Sequence, residues 1–114
     1  MRTLTIQVQP NLAPRMEIAS IKEHFQALSD NGDIVNHFEF VSGDDDGPYL
    51  NFTYYTTEPA SLWQKIQVKI YNNDEIGQTI RESSMAMCSS EEGWDDYLLL
   101  FHFDPMVETD EPNF

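Results

Sequence analysis

The feature that most restricts the fold of this chain is a short apolar run in its last quarter. The run, Tyr97–Phe101, is the longest in the sequence and lies within the aromatic-rich segment Trp94–Pro105, which Gly93 precedes. A run of this length with Gly and Pro at its boundaries is typical of a β-strand that is buried on both faces. We therefore predict that Trp94–Pro105 is a core strand on which the earlier elements pack.

The length and composition indicate a single globular domain. The chain has 114 residues, of which 40% are hydrophobic, and this is enough for one core and argues against global disorder. The only cysteine, Cys88, excludes an intrachain disulfide. No apolar run approaches the roughly 20 residues of a membrane span, and the N-terminal segment lacks the apolar centre of a signal peptide. We expect a cytoplasmic α+β domain over residues 1–105 and a poorly ordered acidic tail over residues 106–114.

Alternation of apolar and polar residues predicts three strands in the first half of the chain. The first is half-buried, with its apolar positions at Leu4, Ile6 and Val8. The second and third strands, residues 34–41 and 49–56, are joined by a link rich in turn-forming residues. Because the link is short, these two strands are expected to form an antiparallel hairpin.

Two helical segments are predicted between the strands. Spacings of three and four residues mark the first helix at Ile18, Ile21, Phe25 and Leu28. In the second segment, residues 60–88, a good N-cap signal and helix-forming residues favour a helix, although residues 66–70 also alternate as a strand would. We expect this long segment to bend or divide near Asn72-Asn73.

The predicted order of elements is β-α-β-β-α-β. Right-handed crossovers then give a ferredoxin-like split β-α-β sandwich, in which a four-stranded antiparallel sheet carries two helices on one face. In this layout the strand in Trp94–Pro105 lies beside the N-terminal strand, so Leu4–Val8 and Leu98–Phe103 are expected to pair.

The charge is strongly acidic and unevenly distributed. Twenty acidic residues against six basic residues give a formal net charge of −14 at pH 7. Residues 30–58 carry seven acids, residues 83–114 carry eight, and neither segment has a Lys or Arg. Such a surface repels nucleic acids and anionic membranes and attracts basic proteins, although screened surface carboxylates also simply keep a protein soluble.

The predicted fold brings acids from two loops to one end of the sheet. The hairpin and the last helix-to-strand loop share that end, so the carboxylates would repel one another unless a basic partner or a metal ion offset them. A metal is the weaker interpretation, because the hairpin acids lack the ligand spacing of an EF-hand loop. The predicted partner-binding residues are these acids and the aromatic anchors beside them: Asp44, Asp45, Asp46, Tyr49, Glu91, Glu92, Trp94, Asp95, Asp96 and Tyr97. The alternative contact surface lies around Asp30, Asp33, Glu58 and the acids of the tail.

No motif for catalysis, a cofactor or nucleic-acid binding is present in the sequence. His102 and Asp104 could pair or bind a metal, and Cys88 could work with a histidine, but a hydrogen-bonded histidine and a buried inert thiol explain these residues more simply. A phosphate-binding glycine loop is missing, and so are basic residues among the aromatics. We predict no catalytic residue, no metal, no cofactor, and neither nucleic acid nor membrane as partner.

A small, strongly acidic, single-domain α+β chain without a catalytic motif resembles bacterial immunity proteins. These proteins bind and block a cognate toxin, often a basic nuclease, and opposite charge speeds their association. The resemblance is one of size, charge and missing chemistry, and it implies a non-catalytic inhibitor that occludes a basic toxin. Two alternatives stay open: a ferredoxin-like homodimer that encloses a small molecule, as in sensors and small oxygenases, and a structural subunit of a larger complex. An exposed apolar sheet face would favour the alternatives, and a wet face with acidic loops would favour the inhibitor.

Overall fold

The computed structural model describes residues 2–30, 34–72, 74–90 and 93–111, and within them five strands form one antiparallel sheet. The strands are β1 (Arg2–Val8), β2 (His37–Asp44), β3 (Pro48–Thr56), β4 (Ser84–Ser90) and β5 (Gly93–His102). The helices are α1 (Ile18–Asp30), α2 (Pro59–Lys69) and α3 (Glu75–Arg81), and a short 3-10 helix spans Pro10–Leu12. None of the helices in these ranges is both long and apolar enough to cross a membrane.

The strand order is β2-β3-β1-β4-β5, which places the N-terminal strand in the centre of the sheet. Since β1 and β2 both pair antiparallel with β3, they run parallel to each other and are linked by α1. In the same way β3 and β4 flank β1 and are linked through α2 and α3. Two split β-α-β units are thus interleaved, and β5 extends the sheet beyond β4.

The predicted α+β class with an antiparallel sheet is confirmed, but the four-stranded layout is not matched. Residues 84–88, predicted to end the second helical segment, belong to the strand β4 (Ser84–Ser90) instead. This strand occupies the place beside β1, where Leu4 pairs with Cys88. The expected pairing of Leu4–Val8 with Leu98–Phe103 is therefore wrong, because β5 pairs with β4 and lies one position further out.

The strand character of β4 follows from its burial. Ala86 and Cys88 are fully buried among the core residues, whereas Met85 and Met87 are half-buried on the other side of the sheet. This two-residue period is that of a strand with one face in the core. The helical spacing of the residues before it, and their good helix formers, concealed it in the sequence.

The second helical segment divides near Asn72, as predicted; Asn73 lies outside the described residues. The Asp74 carboxylate caps α3 by accepting a hydrogen bond of 2.7 Å from the backbone N–H of Gly77. A Cβ on Gly77 would collide with the backbone carbonyl of Asn72. This glycine, whose residue type disfavours a helix, therefore permits the close approach between α3 and the preceding turn.

The core lies between the helices and one face of the sheet. Its centre is a parallel stack of Phe25 from α1 on Phe52 from β3, with ring centroids 4.0 Å apart. The hydroxyl of the fully buried Tyr54 donates a hydrogen bond of 2.7 Å to the carbonyl oxygen of Phe25, and burial raises the pKa of this tyrosine far above its ordinary value. These contacts fix α1 across β3 and leave the opposite face of the sheet uncovered by helices.

Candidate protein-binding surface

The β2–β3 hairpin ends in a three-residue turn, Asp45-Asp46-Gly47, between the paired residues Asp44 and Pro48. Asp44 Oδ1 accepts a hydrogen bond of 3.2 Å from the Gly47 N–H, which fixes the turn. Asp46 and Gly47 have φ angles of 57° and 128°, in the left-handed region that Asp, Asn and Gly tolerate best. The side chains of all three aspartates are exposed, so the tip of this hairpin presents three carboxylates to solvent.

The side chain of Tyr49 packs in part against the hairpin itself. Tyr49 pairs across the strands with Gly43, and a Cβ on Gly43 would collide with the tyrosine ring. The glycine is required by this close approach, and the ring lies half-buried on the hairpin. Only part of the predicted aromatic anchor therefore remains available to a partner.

A polar cleft of about 490 Å³ lies between the hairpin turn and the end of β1. Gln7, Asn51, Asp45 and Asp46 are among the residues that line it. The Oδ1 atom of Asn51 is buried and finds no hydrogen-bond donor within the described residues. The cleft thus combines amide and carboxylate oxygens, the acceptors that a basic side chain of a partner requires.

The face of the sheet opposite the helices is mainly polar over β1, β2 and β3, although the exposed Val41 also lies on it. Thr5 and Thr53 share a hydrogen bond of 3.0 Å across the β1–β3 pair. On the outer half, Glu39 accepts a hydrogen bond from the Tyr55 hydroxyl at 3.1 Å and lies 3.1 Å from Nε2 of His37. The hydrogen bond to the carboxylate raises the pKa of Tyr55. These contacts are those of a wet face, and an exposed pair such as His37–Glu39 adds little to stability.

The basic residues are concentrated on the helical side of the molecule. Arg2, at the start of β1, is the only Lys or Arg in any strand of the sheet, and it donates a hydrogen bond to the Ser89 carbonyl oxygen. The other five bases lie on the helices or just before α1: Arg15, Lys22, Lys65, Lys69 and Arg81. The hairpin tip and the wet face therefore carry acidic residues, and β2 and β3 contain no Lys or Arg.

The structure does not bring the two predicted acidic loops together. Val8 pairs with Leu50 on one side and with Ser84 on the other, so the β2–β3 turn lies at that end of the sheet. β4 ends and β5 begins at the paired residues Ser90 and Gly93, which lie at the opposite end, where the Thr3 N–H donates a hydrogen bond to the Ser89 hydroxyl oxygen. Because the chain passes through the additional strand β4, it reverses direction once more than predicted. The start of β5 therefore lies at the opposite end of the sheet from the β2–β3 turn.

The positions of the remaining predicted residues follow from the same sheet topology. Glu91 and Glu92 lie outside the described residues, and the backbone of Trp94, Asp95 and Asp96 belongs to the first part of β5, far from the hairpin tip. Tyr97, half exposed, lies on the same strand. Among the described residues of the predicted set, Asp44, Asp45, Asp46 and Tyr49 lie together on the hairpin, and those of β5 lie elsewhere.

The alternative acidic surface does not form as one patch either. Glu58 follows the end of β3 that pairs with Arg2, whereas Asp104 follows His102, which pairs with Met85 at the other end of the sheet. Asp33 lies outside the described residues. The acids of this set are therefore divided between the two ends of the sheet.

The tail makes a contact that the sequence did not predict. The backbone N–H of Asp110 donates a hydrogen bond of 2.7 Å to the Leu99 carbonyl oxygen, and Asp110 Oδ2 accepts one of 2.8 Å from the Leu99 N–H. These bonds satisfy backbone groups on the free edge of β5, which would otherwise be open to strand pairing. The tail therefore covers part of a sheet edge, and no hydrophobic periodicity signals such a contact.

The residues considered for chemistry have local partners. His102 Nδ1 accepts a hydrogen bond of 3.0 Å from the Asp104 N–H, and the Asp104 carboxylate accepts one from the Met106 N–H. Within the residues that the structure describes, no group of three or more His, Cys, Asp or Glu side chains is placed to hold a metal ion. His102 and Asp104 thus form a turn at the end of β5.

Cys88 is expected to resist thiol reagents in the folded protein. Its side chain is 0% exposed on the core side of β4, and burial raises the pKa of the thiol, an effect that the neighbouring Arg2 guanidinium only partly opposes. At pH 8 the folded chain should react with a disulfide reagent such as 5,5′-dithiobis(2-nitrobenzoate) at least about tenfold more slowly than the same chain in urea. Equal rates in the two states would show that the thiol is accessible and would reopen a reactive role.

Comparisons of the chain with protein-family models, curated proteins and solved structures found no match. The function is therefore inferred from the chemistry of the surface itself.

Proposed function

We propose that this chain is a non-catalytic, acidic protein-binding module that engages a basic protein partner through the β2–β3 hairpin and the adjoining wet face of the sheet. The observation that carries the proposal is the separation of charge. Asp44, Asp45 and Asp46 project from a turn on strands without a base, while five of the six bases lie on the helical side. In the more specific form of the proposal, the partner is a nuclease-type toxin and the chain is its cytoplasmic immunity protein.

The chemistry of a nuclease cleft suits this surface. A protein that holds nucleic-acid phosphates must present Lys and Arg side chains, and carboxylates at the tip of a rigid hairpin take the place of those phosphates. Opposite charge also steers the approach and can raise association rates toward about 10⁸–10⁹ M⁻¹s⁻¹. The cleft beside the hairpin, lined by Gln7, Asp45 and Asp46, offers oxygen acceptors for one basic side chain of a partner.

The polar face also distinguishes this proposal from a dimer that encloses a small molecule between two sheets. Such a pocket would need apolar side chains on the open face. Thr5, Thr53 and Glu39 lie on its β1–β3 part instead, beside the exposed Val41, and the half-buried Met85, Met87 and Leu99 lie on β4 and β5. A wet face with an acidic hairpin supports an interface formed with a charged partner.

The test uses two variants with the same change of net charge. Asp44→Asn, Asp45→Asn and Asp46→Asn together remove three charges but keep the acceptor that fixes the turn and a residue type that tolerates a positive φ. The matched control, Asp104→Asn, Glu108→Gln and Glu111→Gln, removes three exposed charges beyond β5, at the other edge of the sheet. Neither variant touches the core or Asp110.

The wild-type chain is immobilised to capture its partner from a lysate of the native host, and association is then measured against salt concentration by surface plasmon resonance. We expect the hairpin variant to associate about tenfold more slowly at low salt, with a flatter salt dependence, and the control to stay within about twofold of wild type. Equal slowing by both variants would mean that net charge alone acts, and would overturn the assignment of the surface.

The immunity role has its own test. The captured partner, expressed alone in bacteria, should be toxic, and co-expression of this chain should relieve the toxicity. Protection should weaken with the hairpin variant and persist with the control. A partner that is harmless when expressed alone would remove the toxin from the proposal and leave a protein-binding module.

A further inference from the structure

A second cavity, on the helical side of the molecule, lies between α1 and α2. Its volume is about 500 Å³, within the range of small-molecule sites. Leu62 and Leu28 form its apolar floor but are 0% and 8% exposed, so the apolar surface that a ligand can reach comes mainly from Ala27, Ile34 and Val35. Ile34 and Val35, both half-buried, form one wall. An apolar ligand part can therefore be removed from water here.

Two lysines stand at the rim of this groove. Lys65 and Lys69 are one helical turn apart on α2, so both ammonium groups lie on the same side of that helix. Neither forms an ion pair within the described part of the chain, although the protein carries a formal charge of −14. By contrast, Lys22 lies over the Phe40 ring and Arg81 donates to the Tyr71 carbonyl oxygen. Two lysine ammonium groups without an ion pair in the described residues thus lie beside apolar side chains.

A histidine on the opposite wall adds a defined hydrogen-bonding group. His24 Nδ1 lies 3.1 Å from the carbonyl oxygen of Ser20, and since a carbonyl only accepts, Nδ1 carries the proton. The other ring nitrogen, Nε2, does not take part in that hydrogen bond. His24 is one of the residues that line the groove. Glu23 also lines the rim, so an anion is expected to place its head on the α2 side, beside the lysines.

We propose that this groove binds an amphipathic anion, namely a single aliphatic chain with a carboxylate head. The chain would lie against Ala27, Ile34 and Val35, above the buried Leu28 and Leu62, and the carboxylate would lie between Lys65 and Lys69. Charge complementarity selects the head group, because two unpaired ammonium groups attract an anion and repel a cationic amphiphile. The apolar floor selects a ligand with an aliphatic body, because small hydrophilic anions bury nothing there. This site is separate from the acidic hairpin and does not depend on the function proposed for it.

The probe is decanoate, titrated into the full chain below its micelle concentration and followed by calorimetry and by ¹H–¹⁵N NMR shifts. We expect saturable binding, with the largest shifts at the groove residues, and binding of decanol and decyltrimethylammonium at least about tenfold weaker. Lys65→Met with Lys69→Met, which keeps apolar stems of helix-forming residues, should weaken decanoate binding by a similar factor.

Three variants keep the result interpretable. Arg15→Gln with Lys22→Met removes two positive charges away from the groove and should leave decanoate binding within about twofold. Ala27→Phe fills the groove from an exposed position on α1 and should abolish binding without removing a core atom. Lys65→Arg with Lys69→Arg keeps both charges and should retain binding. Circular dichroism reports whether each variant is folded.

Two results would overturn the proposal. One is the absence of saturable decanoate binding by the folded wild-type chain. The other is decanol binding equal to that of decanoate and unchanged by the two lysine-to-methionine substitutions, since the groove would then be an apolar depression without anion selectivity.

Discussion

Replacing Phe52 with alanine is expected to lower the free energy of unfolding by about 3–5 kcal/mol, the range for removing a large aromatic side chain from a core. Phe52 is 1% exposed and stacks at 4.0 Å on Phe25, while Phe38 and Phe40 flank it on β2 with centroids at 6.5 Å and 5.1 Å. The deletion would leave a cavity bounded by rings, which relax poorly. Because a domain of this size is stable by about 5–15 kcal/mol, the loss is a large share of the total.

Urea denaturation followed by circular dichroism measures this loss, and Val41→Ala is the matched control. Val41 lies on the neighbouring strand but is 53% exposed on the wet face, so its truncation should change stability by less than about 0.5 kcal/mol. If the chain with Phe52→Ala is too unstable to purify, Phe52→Leu should show a smaller loss. Comparable effects of Phe52→Ala and Val41→Ala would show that the aromatic stack is not the centre of the core.

The sequence predicted the first half of the fold because its burial pattern is strong and regular. Leu50, Phe52 and Tyr54 are large and alternate with residues of the wet face, so only one register of β3 buries them all. The apolar stripe on α1 is similarly regular, since Ile21, Phe25 and Leu28 are buried as predicted, although Ile18, the first residue of the helix, is exposed. Large apolar side chains at a fixed period leave few alternative conformations.

The second half was predicted less well because β4 buries small residues. Ala86 and Cys88 fill the crowded space beside β1, and neither has a strong preference for strands. A strand whose core positions are an alanine and a cysteine has a weak alternating signal, and sheet pairing with β1 supplies what the local sequence lacks. Without this strand, the start of β5 is predicted to lie at the same end of the sheet as the hairpin turn, whereas Gly93 pairs with Ser90 at the opposite end.

The same error explains which part of the candidate surface was predictable. The hairpin tip depends on local turn chemistry, and Asp44, Asp46 and Gly47 each have a role that their residue type predicts. Whether two distant loops meet at one end of the sheet depends on the number of strands between them, and one wrongly predicted element changes that number. The contact of Asp110 with Leu99 consists of one backbone hydrogen bond and one side-chain hydrogen bond between residues that are not neighbours in sequence, and no periodicity encodes it.

The two leucines in the apolar run that first indicated a core strand are expected to respond differently to truncation. Ala86 pairs with Phe101 but Met87 pairs with Leu99, so Leu100 is an extra residue in the ladder, a β-bulge. The bulge places Leu100 in the core, where it is 8% exposed, and leaves Leu99 half-buried and paired with Met87. The apolar run lacks alternation for this reason, rather than because the strand is buried on both faces.

Leu100→Ala should therefore cost about 2–5 kcal/mol, and Leu99→Ala about 1 kcal/mol or less, since the Leu99 backbone bonds to Asp110 do not involve its side chain. The two variants have the same composition, so differences in their urea midpoints report burial alone. Equal losses would show that the bulge does not separate the two side chains. Unchanged stability in both variants would mean that the β5 side chains do not contribute to the core, which would then end at β4.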